Sequence, residues 1–176
     1  MVTGKPLYTV NQIQDRVKEL ADAVSKDFEG KELVVISILK GAFMFTSDLV
    51  RHIKVPLTMD FIIASSYLKT DSTGDVAIHC DIRENIMDKD VLLVEDIIDS
   101  GVTLNYIRER LMQRRPSSLK ICGLLDKRAR REVDVPIDYV GFEIPDVFVV
   151  GYGLDYDNKY RNLPYLAVFK KESGEG

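Results

Sequence analysis

A segment near the middle of the chain, Val91 to Leu104, constrains the fold more than any other part of the sequence. It opens with four consecutive apolar residues, continues through the acidic pair Glu95-Asp96, and reaches Asp99-Ser-Gly before a helical pattern starts near Thr103. An apolar run bounded by turn residues is typical of a strand buried on both faces of a parallel sheet. The segment therefore predicts a strand, a tight turn and a helix, which is the repeating unit of α/β proteins.

The same pattern recurs on both sides of this segment. Leu33–Leu39 and Leu119–Leu125 are further candidates for buried strands, and the first of them is followed by a helical stretch. A capping-box spacing at Thr9 begins an amphipathic helix that ends near Gly30. The last third of the chain carries short strand patterns without helices. We therefore expect an α/β domain, a parallel sheet flanked by helices, with a small appended subdomain near the C-terminal end.

The composition of the chain argues against several classes of function. The chain has 176 residues, a net charge of -4 and a pI of about 5.3, which argues against broad nucleic-acid binding. No apolar run approaches the ~18 residues that a membrane span requires. Cys80 and Cys122 form no CxxC pair, as expected for a reducing, cytoplasmic setting. With two histidines and no Cys/His cluster, zinc is not expected, whereas a metal with oxygen ligands remains open.

The central segment combines two kinds of ligand chemistry. Carboxylates at the end of a parallel strand face the crevice in which open α/β sheets bind ligands. Small residues at the start of the next helix, here Ser100 and Gly101, let backbone N–H groups approach an anion. The combination suits a phosphorylated sugar. The alternative for Asp99, Ser100 or Thr103 is simple helix capping, which leaves the Glu95-Asp96 pair unexplained.

Two other features have both a functional and a structural interpretation. Lys40-Gly41 follows a strand and precedes a helix, so it could hold a second phosphate group, or Lys40 could be a solvated turn residue. Residues 68–74 are small and polar, so they form either a plain exposed loop or a lid over the site.

With these residues in view, the chain resembles the 6-oxopurine phosphoribosyltransferases. The resemblance covers Leu39 to Arg161. Besides Glu95-Asp96-Ile-Ile-Asp99-Ser-Gly-Val-Thr103, its motifs are, in the family's order, Leu39-Lys40-Gly41, Ser66-Tyr67, Leu125-Asp126-Lys127, Gly141-Phe-Glu-Ile-Pro-Asp146, Phe148-Val-Val-Gly-Tyr152, Leu154-Asp-Tyr156 and Tyr160-Arg161. The resemblance implies a type I phosphoribosyltransferase fold with 1–176 as one domain. It also implies a hood subdomain built from the termini, mainly the C-terminal part, and a mobile lid at about 66–76.

The resemblance also implies an activity. Members of this family transfer 5-phosphoribose from 5-phosphoribosyl 1-pyrophosphate to N9 of hypoxanthine or guanine, with Mg²⁺, and release pyrophosphate. The expected partners are these small molecules, with no nucleic acid and no membrane, and the expected assembly is a homodimer or homotetramer. The sugar-phosphate motif alone would leave the acceptor open, whereas the C-terminal motifs indicate a purine.

Site roles follow from the resemblance, position by position. The ribose and 5′-phosphate would be held by Glu95, Asp96, Asp99, Ser100, Gly101, Val102 and Thr103. Pyrophosphate would be held by Lys40, Gly41 and Arg161, with a cis peptide between Leu39 and Lys40. The purine would contact Lys127, Phe148, Val149 and Asp155. The metal would be held by Glu95, Asp96 and Asp155, and the lid would carry Ser66 and Tyr67. Asp99 would be the catalytic base that takes the N7 proton.

Lys127 carries the specificity argument. Lysine offers donors and no acceptor, so it suits the 6-oxygen of hypoxanthine and not the 6-amino group of adenine. An unsatisfied buried donor costs ~1–3 kcal/mol, which predicts at least roughly tenfold to hundredfold discrimination. Two other functions remain open at this point: a phosphoribosyl-pyrophosphate-sensing regulator that binds RNA or DNA, and a transferase of the same fold acting on another base. The acidic balance, Lys127 and Phe148 count against the regulator.

Overall fold

The computed structural model describes residues 2–66 and 76–170, with the side chains of residues 2–4 and 66 left out. Its helices are α1 (Val10–Asp27), α2 (Phe43–His52) and α3 (Val102–Met112), and a short 3₁₀ turn spans Arg128–Arg130. Its strands are β1 (Val2–Tyr8), β2 (Leu33–Leu39), β3 (Leu57–Ser66), β4 (Val76–Cys80), β5 (Asp90–Ile98), β6 (Ser118–Asp126), β7 (Tyr139–Glu143), β8 (Val149–Val150) and β9 (Leu166–Phe169). Tyr67 and most of the expected lid lie outside the described residues, and Ser66 is described only as the end of β3.

The main sheet has the strand order β4-β3-β2-β5-β6-β7. All its pairings are parallel except that of β4 with β3. The central strands β2 and β5 are buried on both faces, and Val91 to Val94 are fully buried. This burial accounts for the continuous apolar runs in the sequence. The predicted α/β fold with a parallel sheet is confirmed.

Helices cover both faces of the sheet. On one face, α1 buries Ile13, Val17 and Leu20, which recur at helical intervals, and packs beside α2. The predicted capping box is present, because the Gln12 N–H donates to the Thr9 hydroxyl and the Thr9 N–H donates to the Gln12 side chain. On the other face, α3 buries its apolar side chains against a second core cluster. The two clusters share β2 and β5, whose successive side chains point to opposite faces.

A second, three-stranded sheet stands apart from the main one, and we call it the hood. Its order is β1-β9-β8, with antiparallel pairing throughout, so it joins the two ends of the chain. The hood is attached to the main sheet by stacking of Tyr8 on Phe142 of β7, with ring centroids 3.9 Å apart. The strand β1 carries no clear sequence pattern and was not predicted. Within the described residues, we find no helix with the length and apolarity needed to cross a bilayer.

Candidate active site

The predicted site residues meet at the carboxyl edge of the main sheet. Lys40-Gly41 follows β2, Asp99 to Gly101 follow β5, and Lys127 follows β6. These three strands are parallel neighbours, so their carboxyl ends lie side by side. The Leu39–Lys40 peptide bond is cis, as the resemblance implies.

Two adjoining cavities open at this edge. The first, the phosphate-side cavity, has a volume of about 570 Å³ and is lined by Gly41, Glu95, Ser100 and Thr103 among others. The second, the base-side cavity, has a volume of about 370 Å³, and its lining includes Lys127, Asp146, Phe148, Val149 and Asp155. The residues common to both are Asp96, Ile97, Asp99 and Arg130. Asp99 therefore lies at the junction of the cavities.

The acidic pair Glu95-Asp96 lies beside the loop formed by Lys40 and Gly41. Glu95 is buried, and burial together with the adjacent Asp96 charge raises its pKa well above the ordinary carboxyl value. Burial also raises the pKa of Asp96, although a hydrogen bond with Glu95 and the charge of Arg161 act in the opposite direction. A β-carbon on Gly41 would lie 1.6 Å from Asp96 Oδ2, so any other residue there would displace the Asp96 carboxylate.

The loop after β5 is shaped for an anion. Gly101, the N-cap of α3, has a φ of 84° and no side chain to cap the helix, while the Ser100 hydroxyl accepts a hydrogen bond from the Val102 N–H at 3.4 Å. Helix capping therefore accounts for Ser100 but not for Asp99 or Thr103. The backbone N–H groups of the first turn of a helix lack intrahelical partners and attract negative charge. The loop is fixed from behind, because the Glu132 and Val133 N–H groups donate to the Ser100 carbonyl at 2.9 and 3.0 Å.

The base-side cavity contains a buried cation and an exposed ring. Lys127 is 6% exposed, and its Nζ lies 4.0 Å from Asp146 Oδ1. An ammonium group held this loosely retains donor capacity for a ligand. Phe148 is 50% exposed and packs edge-on against Tyr156, with centroids 5.8 Å apart. Val149 is buried in β8, where it pairs with Val168 of β9.

Arg161 and Gly153 place part of the C-terminal segment beside the Lys40-Gly41 loop. Its Nη1 donates to the Gly153 carbonyl at 2.7 Å, and its Nη2 pairs with Asp155 Oδ1 at 2.7 Å. Gly153 has a φ of 102°, and a β-carbon there would lie 2.1 Å from the Gly41 carbonyl oxygen. Arg161 and Asp155 are therefore brought beside Gly41 and Asp96, although Arg161 lines neither cavity.

Comparison with known proteins agrees with this geometry. The family model described as "Phosphoribosyl transferase domain" matches residues 6–157. The chain belongs to the phosphoribosyl transferase family. Among the relatives of this transferase, a hypoxanthine phosphoribosyltransferase of Salmonella typhimurium is 52% identical, with 88% of this chain and 89% of that protein covered. A hypoxanthine-guanine phosphoribosyltransferase of Staphylococcus aureus is 50% identical, with 94% and 93% covered. A crystal structure of a hypoxanthine-guanine phosphoribosyltransferase from Bacillus anthracis, 51% identical, superposes with a TM-score of 0.93 and covers 97% of this chain and 100% of that one.

The carboxylates of the site could hold a metal ion only with further ligands from solvent or substrate. Among residues 2–66 and 76–170, no cluster of three His, Cys, Asp or Glu side chains is arranged to hold an ion. Mg²⁺ is commonly bound through one or two carboxylates, with waters and substrate phosphates completing its shell. The pair of buried Glu95 and half-buried Asp96, whose pKa values are raised, fits this mode because a dication would stabilise both carboxylates.

One charged residue that the transferase brings into both cavities was not predicted as a site residue from the sequence. Arg130 lies on the 3₁₀ turn after Lys127, and its Nε is 3.0 Å from Asp99 Oδ1. Its sequence surroundings, a run of arginines around Ala129, are typical of a solvated surface turn. Only the position of that turn, beside the end of β5, makes it part of the site.

Proposed function

We propose that this phosphoribosyl transferase transfers 5-phosphoribose from 5-phosphoribosyl 1-pyrophosphate to N9 of hypoxanthine and of guanine, giving IMP or GMP and pyrophosphate in purine salvage. The names of the relatives at 50–52% identity support these substrates. The single observation that carries the proposal is the junction of the two cavities at Asp99. A sugar phosphate on one side and a purine on the other would meet there.

The donor would lie in the phosphate-side cavity. Its 5′-phosphate would accept hydrogen bonds from the loop of Asp99 to Thr103, including the N–H groups at the start of α3 and the Ser100 and Thr103 hydroxyls. The ribose hydroxyls would donate to Glu95 and Asp96, because ionised carboxylates are acceptors only. Lys40, Gly41 and Arg161 would hold the pyrophosphate, where Arg161 can present a planar fork of donors.

The purine would lie in the base-side cavity. Phe148 would stack on its face, and the Val149 backbone would contact its edge. Lys127 would donate to the 6-oxygen. Asp155 would approach the purine 2-position or the metal. Adenine presents donors at C6 where Lys127 requires an acceptor, so its transfer would be at least about tenfold slower.

In the transfer step, N9 of the purine attacks C1′ as the bond from C1′ to the pyrophosphate oxygen breaks. The proton on N7 passes to Asp99, which faces the junction. Positive charge that develops on the ribose lies near the Glu95-Asp96 carboxylates, which stabilise it. Mg²⁺, bound by this pair and the donor, would neutralise charge on the leaving pyrophosphate.

Assembly and location belong to the same proposal. The protein would act as a homodimer or homotetramer in the cytoplasm, without nucleic-acid or membrane partners. Cys80 and Cys122 are both free thiols, which agrees with a reducing compartment. Residues 66–76 would close over the phosphate-side cavity, with Ser66 and Tyr67 in the lid. Light scattering at several concentrations would measure the oligomer.

The test is a steady-state assay with 5-phosphoribosyl 1-pyrophosphate and Mg²⁺, comparing hypoxanthine, guanine, xanthine and adenine. We expect turnover of hypoxanthine and guanine, and adenine slower by at least about tenfold. Ribose 5-phosphate in place of the donor is the matched control, since it lacks the leaving group. Absence of turnover with every 6-oxopurine would overturn the proposal.

A further inference from the structure

Arg130 is positioned between two carboxylates at the junction of the cavities. Its Nε lies 3.0 Å from Asp99 Oδ1, and its Nη1 lies 3.6 Å from Asp146 Oδ1. Lys127 Nζ approaches the same Asp146 oxygen at 4.0 Å. The four side chains form a chain of alternating charge from the base-side lysine to the proposed base. The proposed mechanism gives roles to Lys127 and Asp99 and none to Arg130, which touches both carboxylates.

The contact between Arg130 and Asp99 is electrostatic rather than a directed hydrogen bond. Asp99 Oδ1 is inaccessible to solvent and accepts no hydrogen bond from any residue the structure describes. A buried carboxylate oxygen without a donor is unfavourable, so the guanidinium charge is its main compensation. Asp99 Oδ1 is therefore held at the junction by a cation and can still accept a hydrogen bond from a ligand.

The ion pair between Arg130 and Asp99 can also be broken at little energetic cost. The side chains of Arg130 and Asp99 are 50% and 43% exposed, and ion pairs of that exposure contribute little to stability. Asp146, 54% exposed, lies within reach of the same guanidinium. Arg130 can thus leave Asp99 for Asp146 without leaving the cavity or losing a carboxylate partner.

We propose that Arg130 is a positioning residue that acts through Asp99. Before the purine binds, its guanidinium holds the Asp99 carboxylate at the junction of the cavities. When the purine occupies the base side, its N7–H replaces Arg130 as the partner of Asp99, and Arg130 pairs with Asp146. This inference rests on the proposed function, because the exchange requires a purine N–H at Asp99.

The neighbouring arginines do not share this placement. Arg128 pairs with Glu143 at 3.0 Å and with Asp126, and it lines neither cavity. Arg131 pairs with the buried carboxylate of Asp126 and packs against Gly101. Arg128, 71% exposed, is consequently a matched control: the same residue type on the same turn, without contact to Asp99.

The experiment compares Arg130→Gln with Arg128→Gln in steady-state transfer to hypoxanthine. We expect Arg130→Gln to lower kcat by about tenfold while the KM for the sugar donor changes by less than about twofold. Arg128→Gln should leave both parameters within about twofold of wild type. Arg130→Lys should recover most of kcat, since an ammonium group can still pair with Asp99. Unfolding midpoints are measured for each variant, and we expect them to stay close to wild type.

The decisive experiment compares the Asp99→Asn variant with the double variant that also carries Arg130→Gln. If Arg130 acts through Asp99, the kcat values of these two proteins differ by less than about twofold. A loss as large as in the wild-type background would overturn the proposal, and so would equal kcat for Arg130→Gln and Arg128→Gln. Failure of the proposed function is distinct from both results, because it would appear as absent turnover in the wild-type protein itself.

Discussion

The backbone nitrogen of Lys127 donates a hydrogen bond to the carbonyl oxygen of Ile98 at 2.9 Å. This bond fastens the chain just after β6 to the end of β5, one residue before Asp99. The proposed purine-reading lysine and the proposed base are thereby set on one rigid edge rather than on independent loops. Alignment of N7 and the 6-oxygen of one purine with two side chains requires such fixed spacing.

Replacing Lys127 by glutamine should reduce the preference for hypoxanthine over adenine. Glutamine is uncharged and offers both a donor and an acceptor, so it donates more weakly to the 6-oxygen of hypoxanthine and can accept from the 6-amino group of adenine. Loss of the charge-assisted bond predicts a fall in kcat/KM for hypoxanthine of about tenfold to a hundredfold, because such a bond contributes ~1.5–3 kcal/mol. Lys120→Gln is the control, since Lys120 lies near the opposite end of β6 and pairs with Asp27 at 2.7 Å. An unchanged ratio of hypoxanthine to adenine in Lys127→Gln would place this lysine outside the base site.

Replacing Asp99 by asparagine should separate chemistry from donor binding. Loss of a general base predicts a fall in kcat of about a hundredfold. The donor dissociation constant, measured by calorimetry, should change little, because asparagine keeps the shape of the loop after β5. Asp22→Asn on α1, where Asp22 forms an exposed pair with Lys54, is the control. Wild-type kcat in Asp99→Asn would remove the general-base assignment.

The buried acidic pair predicts a pH dependence of stability. Burial raises the pKa values of Glu95 and Asp96 in the folded state, so the folded pair keeps protons that the unfolded chain releases at pH about 4. The free energy of unfolding should therefore fall as pH rises from about 4 through the folded pKa values. Glu95→Gln removes the part of this loss that comes from Glu95. Without Mg²⁺ at pH 8, we expect Glu95→Gln to be more stable than wild type by at least about 1 kcal/mol.

Chemical denaturation at pH 5 and pH 8 measures this effect. The stability advantage of Glu95→Gln should be larger at pH 8 than at pH 5, while its transfer activity should be low at both. Glu19→Gln provides the comparison, because Glu19 is 64% exposed in a surface pair with Arg16. A pH-independent difference between Glu95→Gln and wild type would show that burial of charge is not the cause.

The close contact between Gly153 and Gly41 predicts that a side chain at position 153 would clash with the Gly41 backbone. This clash can be measured separately from the strain of a positive φ. Gly153 and Gly30 both have positive φ, but a β-carbon on Gly30 meets nothing within 4 Å. Gly30→Ala should therefore cost only the backbone strain, about 1–2 kcal/mol. Gly153→Ala should cost more than this and should also raise the KM for the sugar donor, since the Gly41 loop must move. Equal effects of the two substitutions on unfolding and KM would contradict this interpretation.

The sequence predicted the parts of the molecule that have local patterns. Continuous apolar runs identified β2, β5 and β6, and helical spacing with a capping box identified α1, because burial and backbone capping act over a few residues. The family motifs led to Lys127 and Asp155, which lie in a cavity with Phe148. Two features were not predicted from the sequence, for the same reason. β1 is ordered by pairing with β9, and the partners of Arg130 are Asp99 and Asp146, which follow β5 and β7, so neither feature has a signal in its own part of the sequence.

The hood joins the first strand of the chain to its last, with Pro6 opposite Ala167 and Tyr8 opposite Leu166. The last strand also carries Phe169, whose ring lies edge-on to Phe148 with centroids 6.1 Å apart. Loss of β1 would thus loosen the ring of Phe148, although the two are far apart in sequence. Because Val2 pairs with Phe169, a short linker between β1 and β9, with new termini opened at a surface turn, would make a circular permutant.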